Sequence, residues 1–479
     1  MSRTDVSRPA TFREIFTVRE FQALYLATTL SWIGDYAAKA AVTVLVYRQT
    51  NSAVITAATF AISFLPWALG GPFLTALAER RPHRTTMIFC DIVRAVLIAM
   101  VALPHEPVPV MLALLFLTAL FTPPFEGSRS ATMPQILPGE KYVLATSVLN
   151  SSGQGAQILG YLVGSAVAVG SPRGALLVDA VSFAASGALI VFGLKWRPAV
   201  VDPGRRTHLV REAGEGIALV FRRRVLRAIA VLILTSVPFA IPAEGLAAVW
   251  AAKLEPDPTR RGIAQAIIMI GSPLGLLVAG LLLTRLVSPD TRTKLVRPLA
   301  VLGPLCMVPA LFNPSAPVVA LLACLAGICY AGLVPTANGL FVQALPVGYR
   351  ARAFGVMQTG LQLMKGASVL FTGWLATYFA LWKVVGVWSA FGVLLILGVV
   401  SLWPSPSVFA ETFAQTREAN AATLAALGGE ASGEAVPTNG VPRNGVAVDG
   451  ALRDGTTTAP VQRSGEDPSD GRIRAAESM

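Results

Sequence analysis

Charged residues are scarce in this chain. Asp, Glu, Lys and Arg make up 14% of its 479 residues, whereas soluble proteins carry about a quarter. A water-soluble fold of this length could not cover its surface with so few charges. Histidine is rarer still: the three, His83, His105 and His208, all fall in connecting segments. The chain contains no His-Glu-x-x-His helix, no Gly-x-Ser-x-Gly elbow and no phosphate-binding loop, the arrangements that position a metal, a nucleophile or a nucleotide. The four cysteines, Cys90, Cys306, Cys324 and Cys329, lie in apolar surroundings without paired spacing, so they read as small packing residues rather than metal ligands or disulfides. These absences argue against an enzyme. They predict no catalytic residues, no metal and no cofactor.

What the chain has in abundance is apolar sequence, 54% of residues. It is arranged in stretches of about 20 residues or more, the length that crosses a bilayer. Twelve spans are expected, near residues 21–47, 54–78, 85–103, 108–125, 144–169, 174–194, 228–251, 262–287, 296–312, 316–345, 353–379 and 383–403. The fold class is therefore an all-α membrane protein. Its expected domains are an N-terminal arm (1–19), a six-helix half (20–194), a basic central loop (195–227), a second six-helix half (228–403) and a tail (404–479). The tail is rich in Gly, Ala, Glu, Thr, Pro and Asn and is expected to be mostly disordered, with a short surface helix over 408–427. The first span is too long for a signal-peptide core and is expected to be retained.

The net charge is +12, which invites a nucleic-acid reading. Its distribution answers that. If the N-terminus is inside, the N-terminal arm and the inside loops hold 24 Lys and Arg and the outside loops six. Lys and Arg concentrate on the cytoplasmic side of membrane proteins. The bias predicts a multi-pass cell-membrane protein with both termini cytoplasmic, embedded in lipid and without a nucleic-acid partner.

A weak internal repeat divides the chain. Gln135-Ile-Leu-Pro138 recurs as Gln343-Ala-Leu-Pro346, displaced by 208 residues, and the same shift aligns Ala145 with Ala353 and Gln154 with Gln362. Two parallel halves imply a central cavity and alternating access by rocking. No ATP-binding motif accompanies them, so the energy source would be a gradient.

At this point the chain resembles the major facilitator superfamily. The stretch from Gly71 to Arg84, Gly-Pro-Phe-Leu-Thr-Ala-Leu-Ala-Glu-Arg-Arg-Pro-His-Arg, is similar to its signature loop between the second and third spans. Glu79 stands where the family has Asp, Arg80 and Arg84 match, and Pro82 replaces a glycine. The resemblance implies a twelve-helix pseudo-symmetric fold and a cytoplasmic gate formed by Gly71, Glu79, Arg80 and Arg84, with Glu126 and Arg129 joining it. Asp91-Ile-Val-Arg94, Gly34-Asp35, Arg129 to Pro134, Asn150 and Asp179 to Phe183 resemble the branch of siderophore exporters and macrolide-efflux proteins. That branch implies export.

A charge in the bilayer is costly unless paired or wetted, so each is a candidate. Asp35 and Lys39 are four apart, on one face of the first span, and could pair there. Glu244 follows Pro238 and Pro242, which would kink the seventh span. It lies one residue from the repeat counterpart of Asp35. A carboxylate in a partly dry cavity can take up a proton near neutral pH. Lys365, mid-span, could pair with Asp35 or Glu244 or bind an anionic substrate. These four are the substrate and proton-coupling candidates. Asp91 and Arg94 read as a structural charge pair, and Asp179 as structural. Glycines on the fifth span (Gly153, Gly155, Gly160, Gly164) and the eighth (Gly271, Gly275, Gly280) suggest close packing where the two halves meet. The expected function is a monomeric, proton-driven exporter of a hydrophobic or amphipathic small molecule. The alternatives are a lipid or lysolipid transporter of the same fold, or a non-transporting membrane sensor.

Overall fold

The structure is a computed structural model that describes residues 11–67, 74, 81–198, 209–346 and 349–431. Its helices lie in one compact unit, Met1–Ala421. A second unit, Ala422–Met479, is described only for the end of the last helix.

Each predicted span overlaps a helix among the described residues, the second of them described only to Trp67 and at Leu74. The first half comprises α1 (Arg19–Thr50), α2 (Ala53–Ala61, continued by a 3-10 turn), α3 (His83–Val101), α4 (Val108–Ile136), α5 (Glu140–Gly170) and α6 (Pro172–Gly193). The second comprises α7 (Arg224–Gly245, continued by Ala247–Leu254), α8 (Pro258–Leu286), α9 (Pro289–Met307), α10 (Ala316–Gln343), α11 (Arg350–Tyr378) and α12 (Leu381–Ser401). Seven described helices, namely α4, α6, α7, α8, α9, α10 and α12, are long and apolar enough to cross a membrane by length and composition alone. The other crossings have local reasons to fall short. α1, α3 and α11 carry ionisable residues in mid-helix, α5 is rich in Ser, Asn, Gln and Gly, and α2 is described only in part.

Small residues determine how closely these helices approach. Ala27, Ser31, Gly34, Ala38 and Ala41 repeat along one buried face of α1, and α5 and α6 pack onto α1. A Cβ at Gly164 would lie 2.3 Å from the Ala37 carbonyl oxygen, and one at Gly160 would lie 2.6 Å from that of Ile33. In the second half α8 lies against α10 in the same way, with Gly275 facing the Cys324 carbonyl at 2.0 Å. The glycine stripes of α5 and α8 therefore pack largely inside their own halves, contrary to the expectation of an inter-half seam. The direct α5–α8 contact uses Gly262, whose Cβ position faces Val169 and the Ser165 carbonyl.

The halves meet along α5–α8 and α2–α11. One buried cluster spans both near the α1–α2 and α7–α8 turns, including Ala57, Phe60, Tyr161, Leu246, Trp250 and Ile268. At the opposite end the first half has its own core around Phe21, Met87, Phe125 and Met133, and the second around Leu226, Phe341 and Ala353. Among the described residues no buried cluster joins the halves there.

The central connection is not simply a loop. It contains a helix, Leu209–Arg222, whose Val220 joins the core of the second half. Arg352 of α11 bonds Glu215 at 2.7 Å. The tail likewise begins with a helix, Pro406–Ala431, longer than expected. Phe409 anchors it by stacking on Trp403 at 5.4 Å. Residues 432–479 lie outside the described residues.

Candidate functional site

Two adjoining cavities lie between the halves, of about 450 Å³ and about 550 Å³. The first is bounded mainly by α1, α2, α4 and α5, and the second by α5, α7, α8, α10 and α11. Both are lined by Tyr36, Lys39, Phe64, Asn150, Gln154 and Lys365. The repeat-related Gln154 and Gln362 both line the first cavity, and so do Asn150 and Gln358, which are separated by the same displacement. The side-chain oxygens of Gln154 and Gln362 are buried without a hydrogen-bond partner.

Behind the first cavity is an ionic junction. Arg94 of α3 bonds Asp91 one turn earlier and lies 3.8 Å from Asp35 of α1. Its guanidinium sits between the rings of Phe125 (4.5 Å) and Phe183 (4.2 Å), a cation–π geometry. Ser186 of α6 donates to the second Asp91 oxygen at 2.7 Å. One buried cation thus holds α1, α3, α4 and α6. The partner of Asp35 is Arg94 rather than Lys39. Helical spacing allowed the Lys39 pairing, but Lys39 instead places its ammonium over the Tyr36 ring at 4.9 Å. Asp179 is fully buried beside α1, and Gly34 is a glycine because a Cβ there would lie 2.4 Å from Asp179 Oδ1.

Glu126 and Arg129 bond each other one turn apart on α4. Trp32 of α1 donates to Glu126 at 3.1 Å, and Arg129 lies 5.0 Å from the Trp32 ring. Their described partners belong to the cavity wall of the first half. Arg84 donates to the Val191 carbonyl at 2.6 Å, at the C-terminal end of α6 where a cation complements the helix dipole. That bond also stays within the first half. Gly71, Glu79 and Arg80 of the expected gate lie outside the described residues.

Across the cavity, α7 is broken. Its first segment ends at Ser236, a 3-10 turn covers Val237–Phe239, and a single helical turn restarts at Pro242. Pro242 has no N–H to donate to the Pro238 carbonyl four residues back. Ser368 of α11 and Trp388 of α12 donate to that carbonyl instead, the latter at 3.0 Å. The restarted turn carries Glu244, 7% exposed. Its Oε1 accepts from the Tyr161 hydroxyl and from the Gln157 amide at 3.1 Å, both on α5. Glu244 thus ties the second half to the first through neutral donors. Gln265 of α8 adds a second tie, to the Ala40 carbonyl of α1 at 2.9 Å. Lys365 lies 5.8 Å from the Phe64 ring.

Sequence reasoning identified the ionisable residues but missed Tyr161, Gln157 and Gln358, which carry no charge. The repeat displacement was the one signal that pointed to Gln358.

A sequence model of the Major Facilitator Superfamily matches residues 24–369. The chain belongs to this superfamily. Its members are secondary transporters rather than enzymes, and this chain has that all-helical, multi-pass membrane fold. It is 23% identical over 279 residues to the uncharacterized MFS-type transporter YvqJ of Bacillus subtilis (strain 168), covering 56% of this chain and 65% of that one. It is 25% identical over 153 residues to macrolide efflux protein A of Streptococcus pyogenes, covering 31% and 37%. The chain thus spans less than two thirds of the length of these curated relatives. A crystal structure of the nucleoside transporter NupG superposes with a TM-score of 0.63 at 14% identity, over 81% of this chain and 99% of that one.

Proposed function

We propose that the protein is a proton-driven exporter of an amphipathic small molecule, working as a monomer by alternating access. Both termini would face the cytoplasm, as the basic-residue bias supports. The end at which no described core joins the halves would then open to the cytoplasm, where an exporter loads. The cavity has a chemically divided wall, with amides and charges at Asn150, Gln154, Gln358 and Lys365 and apolar groups at Ile241, Leu276 and Val334. The partial likeness to macrolide efflux protein A supports the direction.

The observation that carries the reading is Glu244. Asp35 shares Arg94 with Asp91, and Glu126 has Arg129. Glu244 is bonded to neutral groups of the opposite half, so a proton can arrive without breaking a salt bridge. Protonation would weaken the bonds that Tyr161 and Gln157 make to a carboxylate. The chemical step would thereby act on a contact that links the halves.

Inverted membrane vesicles energised with a proton gradient test this. A panel of amphipathic acids and amines is screened for compounds that release protons on addition, read by a pH-sensitive dye. Glu244→Gln is expected to abolish gradient-driven accumulation while leaving downhill exchange, and Asp35→Asn to reduce it. Full gradient-driven transport by both variants would overturn the proposal.

A further inference from the structure

The two lysines facing the cavity stand apart from every other ionisable group on its wall. Asp35, Glu126 and Glu244 each have a protein partner, and Asp179, fully buried, accepts from Ser182 at 3.2 Å. Lys39 and Lys365 have no carboxylate within salt-bridge distance among the described residues. Each is instead placed over an aromatic ring. One comes from α1 of the first half and the other from α11 of the second, and both line both cavities. The two ammonium groups repel each other; Glu244 attracts both through space and Asp35 attracts Lys39, but neither lysine is bonded to a carboxylate among the described residues, so each keeps donors for an anion.

We infer that Lys39 and Lys365 form a two-sided anion subsite, and that the transported class is an amphipathic organic acid. The inference rests on the transporter reading above and specifies its substrate. The acid's carboxylate or phosphate lies between the ammonium groups, with the amides of Asn150 and Gln154 beside it as neutral donors. Its apolar body extends into the second cavity along Ile241, Leu276 and Val334. Because each half contributes one lysine, a bound anion attracts both halves and replaces repulsion with attraction. Substrate binding thereby favours closure of the end where no described core joins the halves. A cationic amphiphile would make neither ammonium contact and would be repelled by both lysines.

The test is binding to the full-length protein in lipid nanodiscs without a gradient, with empty discs as the control. The probes are dansyl-undecanoate, an amphipathic carboxylate, and dansylcadaverine, which carries the same fluorophore on an amine. Saturable binding of the carboxylate is expected, with little binding of the amine. Lys39→Met and Lys365→Met should each weaken it about tenfold or more, the loss expected for one charge-assisted contact. Lys365→Arg should restore most of it, and monodispersity on size exclusion confirms that each variant is folded. Competition with lysophosphatidate or with 4-phenylbutyrate distinguishes a lipid headgroup from a free acid as the source of the anion. Preferential binding of the amine, no wild-type binding of the carboxylate, or lysine variants that bind like wild type would overturn the subsite. Gradient-driven transport insensitive to both lysines would sink the subsite and leave the exporter intact. Lysine-dependent binding without gradient-driven transport would do the reverse.

Discussion

In the first half of the molecule a guanidinium is the junction: Arg94 joins α1, α3, α4 and α6 through Asp35, Asp91 and two phenyl rings. In the second half the comparable junction is a backbone carbonyl, that of Pro238, which Ser368 and Trp388 tie to α11 and α12. The two are unequal in what they risk. A buried ion pair gains little over apolar packing while intact, but losing one partner leaves a charge in a medium that cannot solvate it. A carbonyl left without donors is a dipole, and hydrogen bonds between membrane helices average only about 0.6 kcal/mol. The first half is thus suited to act as a rigid body. The second is suited to bend at α7, where the helix is already broken and its freed carbonyl is held by weak bonds.

The largest expected effect is therefore on the first half. Arg94→Met leaves Asp91 buried and unpaired and should lower stability by about 3–5 kcal/mol, read as the thermal unfolding midpoint in detergent and as yield in the membrane. Adding Asp91→Asn should recover much of the loss, because the stranded charge is gone. If Arg94→Met unfolds at the wild-type temperature, the guanidinium does not hold the half together and the contrast fails.

Why Arg94 pairs with Asp35 was not legible in the sequence, although much else was. Apolar run length located the described helices, as for α10, expected over 316–345 and found at Ala316–Gln343. Hydropathy reports the solvent of a segment, and lipid leaves no ambiguity there. Spacing along one helix reports only local neighbours, so it offered Lys39 as the partner of Asp35. The actual partner is set by α1 lying close enough to α3 for Arg94 to reach it, which no local pattern encodes. The same limit hid Tyr161 and Gln157. The helix Leu209–Arg222 was missed because its charges read as a solvated loop, although Ile217, Val220 and Phe221 repeat at helical spacing.

A smaller effect sharpens the comparison by removing charge from it. Both halves have a tight seam of small residues, at Gly164 against Ala37 and at Gly275 against Cys324. In each the obstacle to a larger residue is backbone, which cannot rotate aside. Gly164→Ala and Gly275→Ala should each lower stability by about 1–3 kcal/mol through overpacking, by similar amounts in the same unfolding measurement. A large difference between them would mean that the halves differ in packing as well as in electrostatics.

The smallest effect is expected at the Pro238 carbonyl. Ser368→Ala removes one of two donors and leaves Trp388 in place, so the carbonyl stays satisfied. The cost should be about 0.6 kcal/mol, the average for such bonds between membrane helices. Trp388→Phe should add the loss of an indole that also packs against Phe239 at 5.1 Å. The double variant should cost more than the two single losses together, because only then is a carbonyl in the protein interior left without a donor. This excess separates the two kinds of junction. At Arg94 the penalty arrives with the first substitution, since a charge has no substitute partner. At Pro238 it arrives with the second, since two weak donors share one acceptor. If Ser368→Ala alone costs as much as Arg94→Met, the carbonyl is as critical to its half as the guanidinium is to the other, and the second half is no more suited to bend than the first.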